Sequence, residues 1–168
     1  VSRPEAELVV KVLEQIHPRG EEPCDLQVLS PYNGQLEAIR TTIERAYASG
    51  RLPHMFKPPF DLGHGKRMGA TVDEFQGSEA DVVIVSLVRN NALVPWKSVG
   101  FLKEKNRMNV LLSRAKHKLI IVGSWDFFAS RCNATTSEYD EHAYIGRMMK
   151  EMASAEKARI LCRVRAAK

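Results

Sequence analysis

Apolar residues recur along this chain in two rhythms. From Pro4 to Ile16 (PEAELVVKVLEQI), residues Leu8, Val9, Val12, Leu13 and Ile16 share one face of a 3.6-residue repeat. Proline in the first turn and acids at Glu5 and Glu7 suit a helix start, so the segment predicts a helix. Gly34 to Ala48 predicts a second, with Leu36, Ile39, Ile43 and Ala46 or Tyr47 facing inward. Between them, His17 to Asp25 is a turn rich in Pro, Gly and charge, and Leu26 to Ser30 reads as a short strand. The other rhythm is no alternation at all. Val82-Val83-Ile84-Val85 and Leu119-Ile120-Ile121-Val122 are continuous runs, as expected of strands buried on both faces of a parallel sheet. Further helices are predicted from near Trp125 and over roughly Glu138 to Ala155. Helices and strands in alternation make this an α/β chain.

Each continuous run follows a polar cluster. Thr71, Asp73, Gln76, Gly77 and Glu79 precede the first, and Arg107, Asn109, Ser113 and Arg114 the second. Ligands of parallel sheets gather at one edge, so these are candidate site residues. Read as a helix, Asn106 to Lys116 sets Met108, Leu111, Leu112 and Ala115 in one stripe. Arg107 and Arg114 then lie two turns apart on one flank, about 10 Å along the axis. Two arginines so spaced suit two anionic features, or simply two solvated positions on an amphipathic helix. The turn Phe75-Gln76-Gly77-Ser78-Glu79 offers an amide, a permissive glycine and a carboxylate suited to a ribose hydroxyl or a metal. It reads equally as a polar connection anchored by Phe75. Thr71 and Asp73, read as ending the preceding strand, could touch a sugar-phosphate backbone, orient a neighbour or cap a turn.

Composition narrows the choices modestly. A chain of 168 residues, 44% hydrophobic and 27% charged, is one ordinary globular domain. Its net charge of +5 leans towards an anionic partner. Cys24, Cys132 and Cys162 form no C-x-x-C pair, which argues against a disulfide framework or a cysteine zinc site and fits a reducing compartment. No run reaches the roughly 18 apolar residues of a spanning helix, and no signal peptide is visible. The chain opens with Val1, as a piece of a longer protein would, although N-terminal processing looks the same. Arg51 to Met68, with three prolines and six basic or His residues, reads as a long loop or insertion. The tail from Lys157 to Lys168 carries five basic residues and no clear periodicity.

Two further chemistries have partial signatures in the residues. Asp73, Glu74, Glu79 and Asp81 cluster as a metal-dependent nuclease would require. Asp81 opens an apolar strand, however, and Glu74 alternates away from Asp73. The five histidines have no ligand spacing, so no metal site is assigned. The single Gly65-Lys66 is followed by Arg67, with Phe60 where a first P-loop glycine belongs, so it is not a phosphate-cradling loop.

Ser30-Pro31-Tyr32-Asn33-Gly34-Gln35, TVDEFQGSEADVVIVSLVRNN and NRMNVLLSRAK together resemble motifs IV, V and VI of superfamily 1 helicases. The likeness is to the branch containing the nonsense-mediated-decay and nidoviral replicative helicases, and it covers about Pro4 to Ser124. It implies the second RecA-like domain, of the P-loop NTPase type: a three-layer α/β fold with a mostly parallel sheet and helices on both faces. On this reading residues 1–131 are that domain, and 132–168 are a helical extension packed on it. The resemblance implies that Arg114 is the arginine finger for ATP, with Gln76, Gly77 and Glu79 facing the nucleotide. Asn33, Thr71, Asp73 and Arg107 match positions that contact the nucleic-acid backbone in relatives. ATP and Mg²⁺ would be cofactors, the Mg²⁺ held by a first lobe outside these residues. Partners would be single-stranded DNA or RNA and that N-terminal lobe, with no membrane. The location would be the cytoplasm, or the nucleus in a eukaryote. The full-length protein is then expected to be an ATP-dependent helicase or translocase moving 5′ to 3′. The alternative is a non-catalytic RecA-like module that binds nucleic acid or protein.

Overall fold

A computed structural model describes residues 1–16, 25–52, 69–88, 100, 104–133 and 143–157. They fall into two compact units, one of residues 1–88 and 106–123, the other of residues 89–105 and 124–168.

The first unit is built on a three-stranded parallel sheet, β1 (Leu26–Leu29), β2 (Ala80–Ser86) and β3 (Ala115–Val122), in that order. Register is set by apolar pairs: Val28 faces Ile84, which faces Ile120, and Leu29 faces Val85, which faces Ile121. On the free edge of β1, Ala70 makes one more parallel bridge to Leu29. Its N–H donates to Val28 O at 3.0 Å, and Ser30 N donates to Ala70 O at 3.3 Å.

Helix α1 (Arg3–Glu14) starts at Ser2, whose hydroxyl accepts from Glu5 N, with proline in the first turn. Helix α2 (Asn33–Ala48) ends at Gly50, whose positive φ lets the chain turn off the helix. Both helices pack together on the sheet. Ala6, Val9, Val10 and Leu13 of α1 and Ile39, Ile43 and Ala46 of α2 share a core with Leu26, Val28, Ile84 and Val122. Side chains of the opposite sheet face, Leu29, Val83 and Val85, are also fully buried. So are Met108 and Leu111 of α3 (Lys105–Leu112). The connection after β1 crosses towards Ala70 and the one after β2 crosses the other way to β3. Right-handed crossovers in opposite directions require helices on opposite faces, which gives the three layers.

Two boundaries differ from expectation. Asn106 to Lys116 is not one helix: α3 ends at Leu112, and β3 begins at Ala115. Backbone pairing decides this, because Ala80 N donates to Arg114 O at 3.0 Å and draws the following residues onto the sheet. Ala115 therefore leaves the apolar stripe, and Arg114 lies in the joint rather than on a helix flank. Thr71 and Asp73 do not end a strand; pairing stops at Ala70, and residues 72–77 form a turn. In the second unit, α4 (Trp125–Asn133) packs on α5 (Ala143–Lys157). Most of the 51–68 loop, and the tail beyond Lys157, lie outside the described residues.

Candidate functional site

The candidate residues divide between the two ends of the sheet. This corrects the expectation of a single edge, and chain direction is the reason. A helix that joins parallel strands must run back, so α3 starts towards the carboxyl end of β2 and finishes at the amino end of β3. Arg107 belongs to its first turn and Arg114 follows its last. The eight residues of α3 span about 12 Å.

At the amino end, Arg114 is held by three hydrogen bonds. Its Nε donates to Val110 O at 2.9 Å, one terminal nitrogen to Ser78 O at 3.2 Å, and the other to Ser113 Oγ at 2.8 Å. A guanidinium carries five N–H groups, so each terminal nitrogen keeps one more donor. The group is half-buried, fixed in orientation and still able to bind an anion. Ser78 belongs to the turn that carries Gln76, Gly77 and Glu79, all three exposed. Gly77 has φ +80°, and a Cβ there would meet nothing within 4 Å. Between the Ala80–Ala115 and Val82–Lys118 pairs β3 carries an extra residue, a bulge beside Arg114. Bulges of this kind re-aim side chains next to functional sites. Lys116, at that bulge, lies 3.7 Å from both Glu79 and Asp81.

At the carboxyl end, Asn33 is exposed in the first turn of α2, just beyond β1. Thr71 follows the Ala70 bridge. Its hydroxyl accepts from Glu74 N at 3.2 Å while Glu74 Oε2 accepts from Thr71 N at 2.7 Å, a reciprocal cap across the turn. Hydrogen bonding to the carboxyl by the Thr71 N–H, the larger effect, and then by the Thr71 side chain holds Glu74 below its ordinary range. Arg107 pairs with Asp73 at 3.3 Å. An ionised carboxylate only accepts hydrogen bonds and repels phosphate, so Asp73 can steady Arg107 or accept from a sugar hydroxyl, but it cannot itself bind phosphate.

The four clustered carboxylates do not converge. Asp73 serves Arg107 and Glu74 caps Thr71. Asp81 accepts from Asp25 N at 3.0 Å, and Glu79 and Asp81 share Lys116. Among the described residues no group of three or more His, Cys, Asp or Glu is placed to hold a metal ion. Sequence reading missed a buried polar cluster at the carboxyl end, made of Glu5, Ser30, Gln35 and Ser86. By local pattern Glu5 is an ordinary first-turn acid. The available signal was Ser30 and Gln35 framing SPYNGQ, a motif too polar for its place beside an apolar strand.

Comparison with known proteins shows the family of the chain. A family model described as an AAA domain matches residues 1–126. A regulator of nonsense transcripts 1 homologue of Neurospora crassa is 34% identical over 124 residues, covering 74% of this chain and 10% of that protein. The homologue of Arabidopsis thaliana is 31% identical over 144 residues, covering 84% of this chain and 10% of that protein. A DNA polymerase alpha-associated DNA helicase A of Schizosaccharomyces pombe is 34% identical over 119 residues, covering 71% and 15%. The chain thus spans about a tenth of the length of the curated relatives it matches first. With its parallel three-layer fold and the match over residues 1–126, the chain belongs to the AAA domain family, as a helicase domain of the superfamily 1, nonsense-mediated-decay type.

Proposed function

We propose that this chain is the second motor lobe of an ATP-dependent helicase or translocase, donating an arginine to ATP held by a first lobe. The observation that carries the reading is Arg114: a guanidinium fixed by Val110 O, Ser78 O and Ser113 Oγ with two donors left over. Preset orientation is what a charge-stabilising group needs, because no reorganisation is then required when charge develops on the phosphoryl oxygens. Fingers of this kind contribute roughly 10³ to 10⁵ in rate. Gln76, Gly77 and Glu79, on the turn that Arg114 grips, would line the nucleotide side. Among the described residues no group of three or more His, Cys, Asp or Glu side chains is placed to hold a metal ion, so Mg²⁺ would be held by the first lobe.

At the other end of the sheet, Arg107 oriented by Asp73, with Thr71 and Asn33, would follow the backbone of a single strand. Such contacts read phosphate and sugar, so sequence preference should be slight and travel along the strand unhindered. ATP and strand would thus be served from opposite ends of one rigid βαβ unit. Arg114→Ala in the full-length protein tests this. Turnover should fall by about a thousandfold while single-strand affinity changes less than about twofold. Normal turnover with lost binding would reverse the assignment of the two arginines.

A further inference from the structure

The carboxyl ends of β1 and β2 are the point where the chain's connections diverge, one towards Ala70 and the other towards β3. Doubly wound sheets open a crevice there, and ligands ordinarily occupy it. In this molecule the crevice is filled from within. Glu5 Oε2 accepts from Ser86 Oγ at 2.8 Å and from Val88 N at 3.0 Å. Ser30 Oγ donates to Ser86 O at 3.1 Å. The Gln35 amide accepts from Ser2 N at 2.7 Å and donates to Ser2 O at 3.0 Å and Ser86 Oγ at 3.3 Å. None of Glu5, Ser30, Gln35 and Ser86 is more than 6% exposed.

Apolar side chains would close such a gap at lower cost, since burying a carboxylate is unfavourable even when it is hydrogen-bonded. The cluster does something they could not, which is to bind both diverging loops. The loop after β1 is tied through Ser30 and Gln35, and Tyr32 N donates to Ser30 Oγ at 3.4 Å. The loop after β2 is tied through Val88, whose φ of +62° is rare for a β-branched residue. Strain of this kind persists where the surroundings over-determine it, and the Val88 N–H has the Glu5 carboxylate as its acceptor.

We propose that Glu5 and Gln35 are positioning residues that hold, through Ser86, Ser30 and Val88, the two loops at this end of the sheet in the geometry that grips a single strand. The inference rests on reading that end as the nucleic-acid track. Its test is titration of the protein into labelled, mixed-sequence single strands, DNA and RNA separately, with thermal unfolding of each variant recorded alongside. Glu5→Ala should raise Kd about tenfold, the scale of losing hydrogen bonds to a charged acceptor, with the strand-binding stoichiometry unchanged. Glu5→Gln, which keeps an acceptor oxygen, should restore affinity to within about twofold of the parent. Should Glu5→Ala fail to fold, Ser86→Ala carries the test, with an expected rise of about threefold for one lost bond. A fall in stoichiometry with Kd unchanged would make the cluster a fold-building element only and overturn the proposal. Unchanged Kd in both variants, with Arg107→Ala weakened, would overturn it while sparing the track. If Arg107→Ala and Glu5→Ala both bind like the parent, the track reading itself fails.

Discussion

At the scale of single residues, two glutamates set opposite pH dependences. Burial lifts Glu5 above its ordinary 4.5, opposed by the Ser86 and Val88 hydrogen bonds and the N-terminal charge. A carboxyl whose folded pKa is raised contributes stability fully below its unfolded value, and loses it as pH rises through the folded one. Stability should therefore decline as pH rises above 4.5 and through the raised folded-state value of Glu5, and Glu5→Gln should flatten that decline. Denaturation midpoints along a pH series upward from 4.5 check this; equal declines in both proteins would refute it. Glu74 works the other way, since its lowered value makes its contribution present above 4.5 and lost on acidification below it. Arg107 and Asp73 yield a second prediction. Arg107→Ala should lower the salt slope of strand binding by about one. Asp73→Asn removes a competing negative charge and should strengthen binding by about twofold to fivefold. Weaker binding by Asp73→Asn would mean that this carboxylate itself accepts from the strand's sugar.

At the scale of elements, the junction of α3 with β3 matters most. The Ala80–Arg114 backbone bond and the adjacent bulge fix where helix becomes strand, and so fix Arg114. Gly77 lies in the turn that Arg114 grips, at a φ only glycine adopts freely. Gly77→Ala meets no steric obstacle, so its cost is conformational and should be about 1 kcal/mol, measurable by urea denaturation. A much larger loss would mean that the turn is packed. Ile84, 0% exposed in the central strand, should cost about 3 to 4 kcal/mol on truncation to Ala. A loss below about 1 kcal/mol would contradict the core described here.

At the scale of the whole molecule, the proposed engine is divided between this chain and a partner lobe. Among the described residues no carboxylate group can hold a metal, and the sequence carries no P-loop pattern. The isolated chain should therefore hydrolyse no ATP above the uncatalysed rate, measured as phosphate release. Sustained turnover from these 168 residues would contradict the lobe assignment.

The local pattern determined a good deal. Continuous β-branched runs suit strands covered on both faces, so the parallel sheet, its strands and both N-terminal helices were legible from residue order. In the edge strand β3, however, only Val122 is buried, and Leu119, Ile120 and Ile121 are partly so. The candidate residues were legible through their resemblance to motifs, though their grouping was not. Helical periodicity continued through Ser113 and Ala115, because an apolar residue at i+7 suits a helix as well as the first position of a buried strand. Only the long-range bond from Ala80 chose between them. The split of the site between two sheet ends, the pairing of Asp73 with Arg107, and the burial of Glu5 likewise depend on groups 34 to 83 positions apart in the chain. A local pattern reports which residues want to leave water, whereas partners so distant in the chain are chosen by the fold that brings them together.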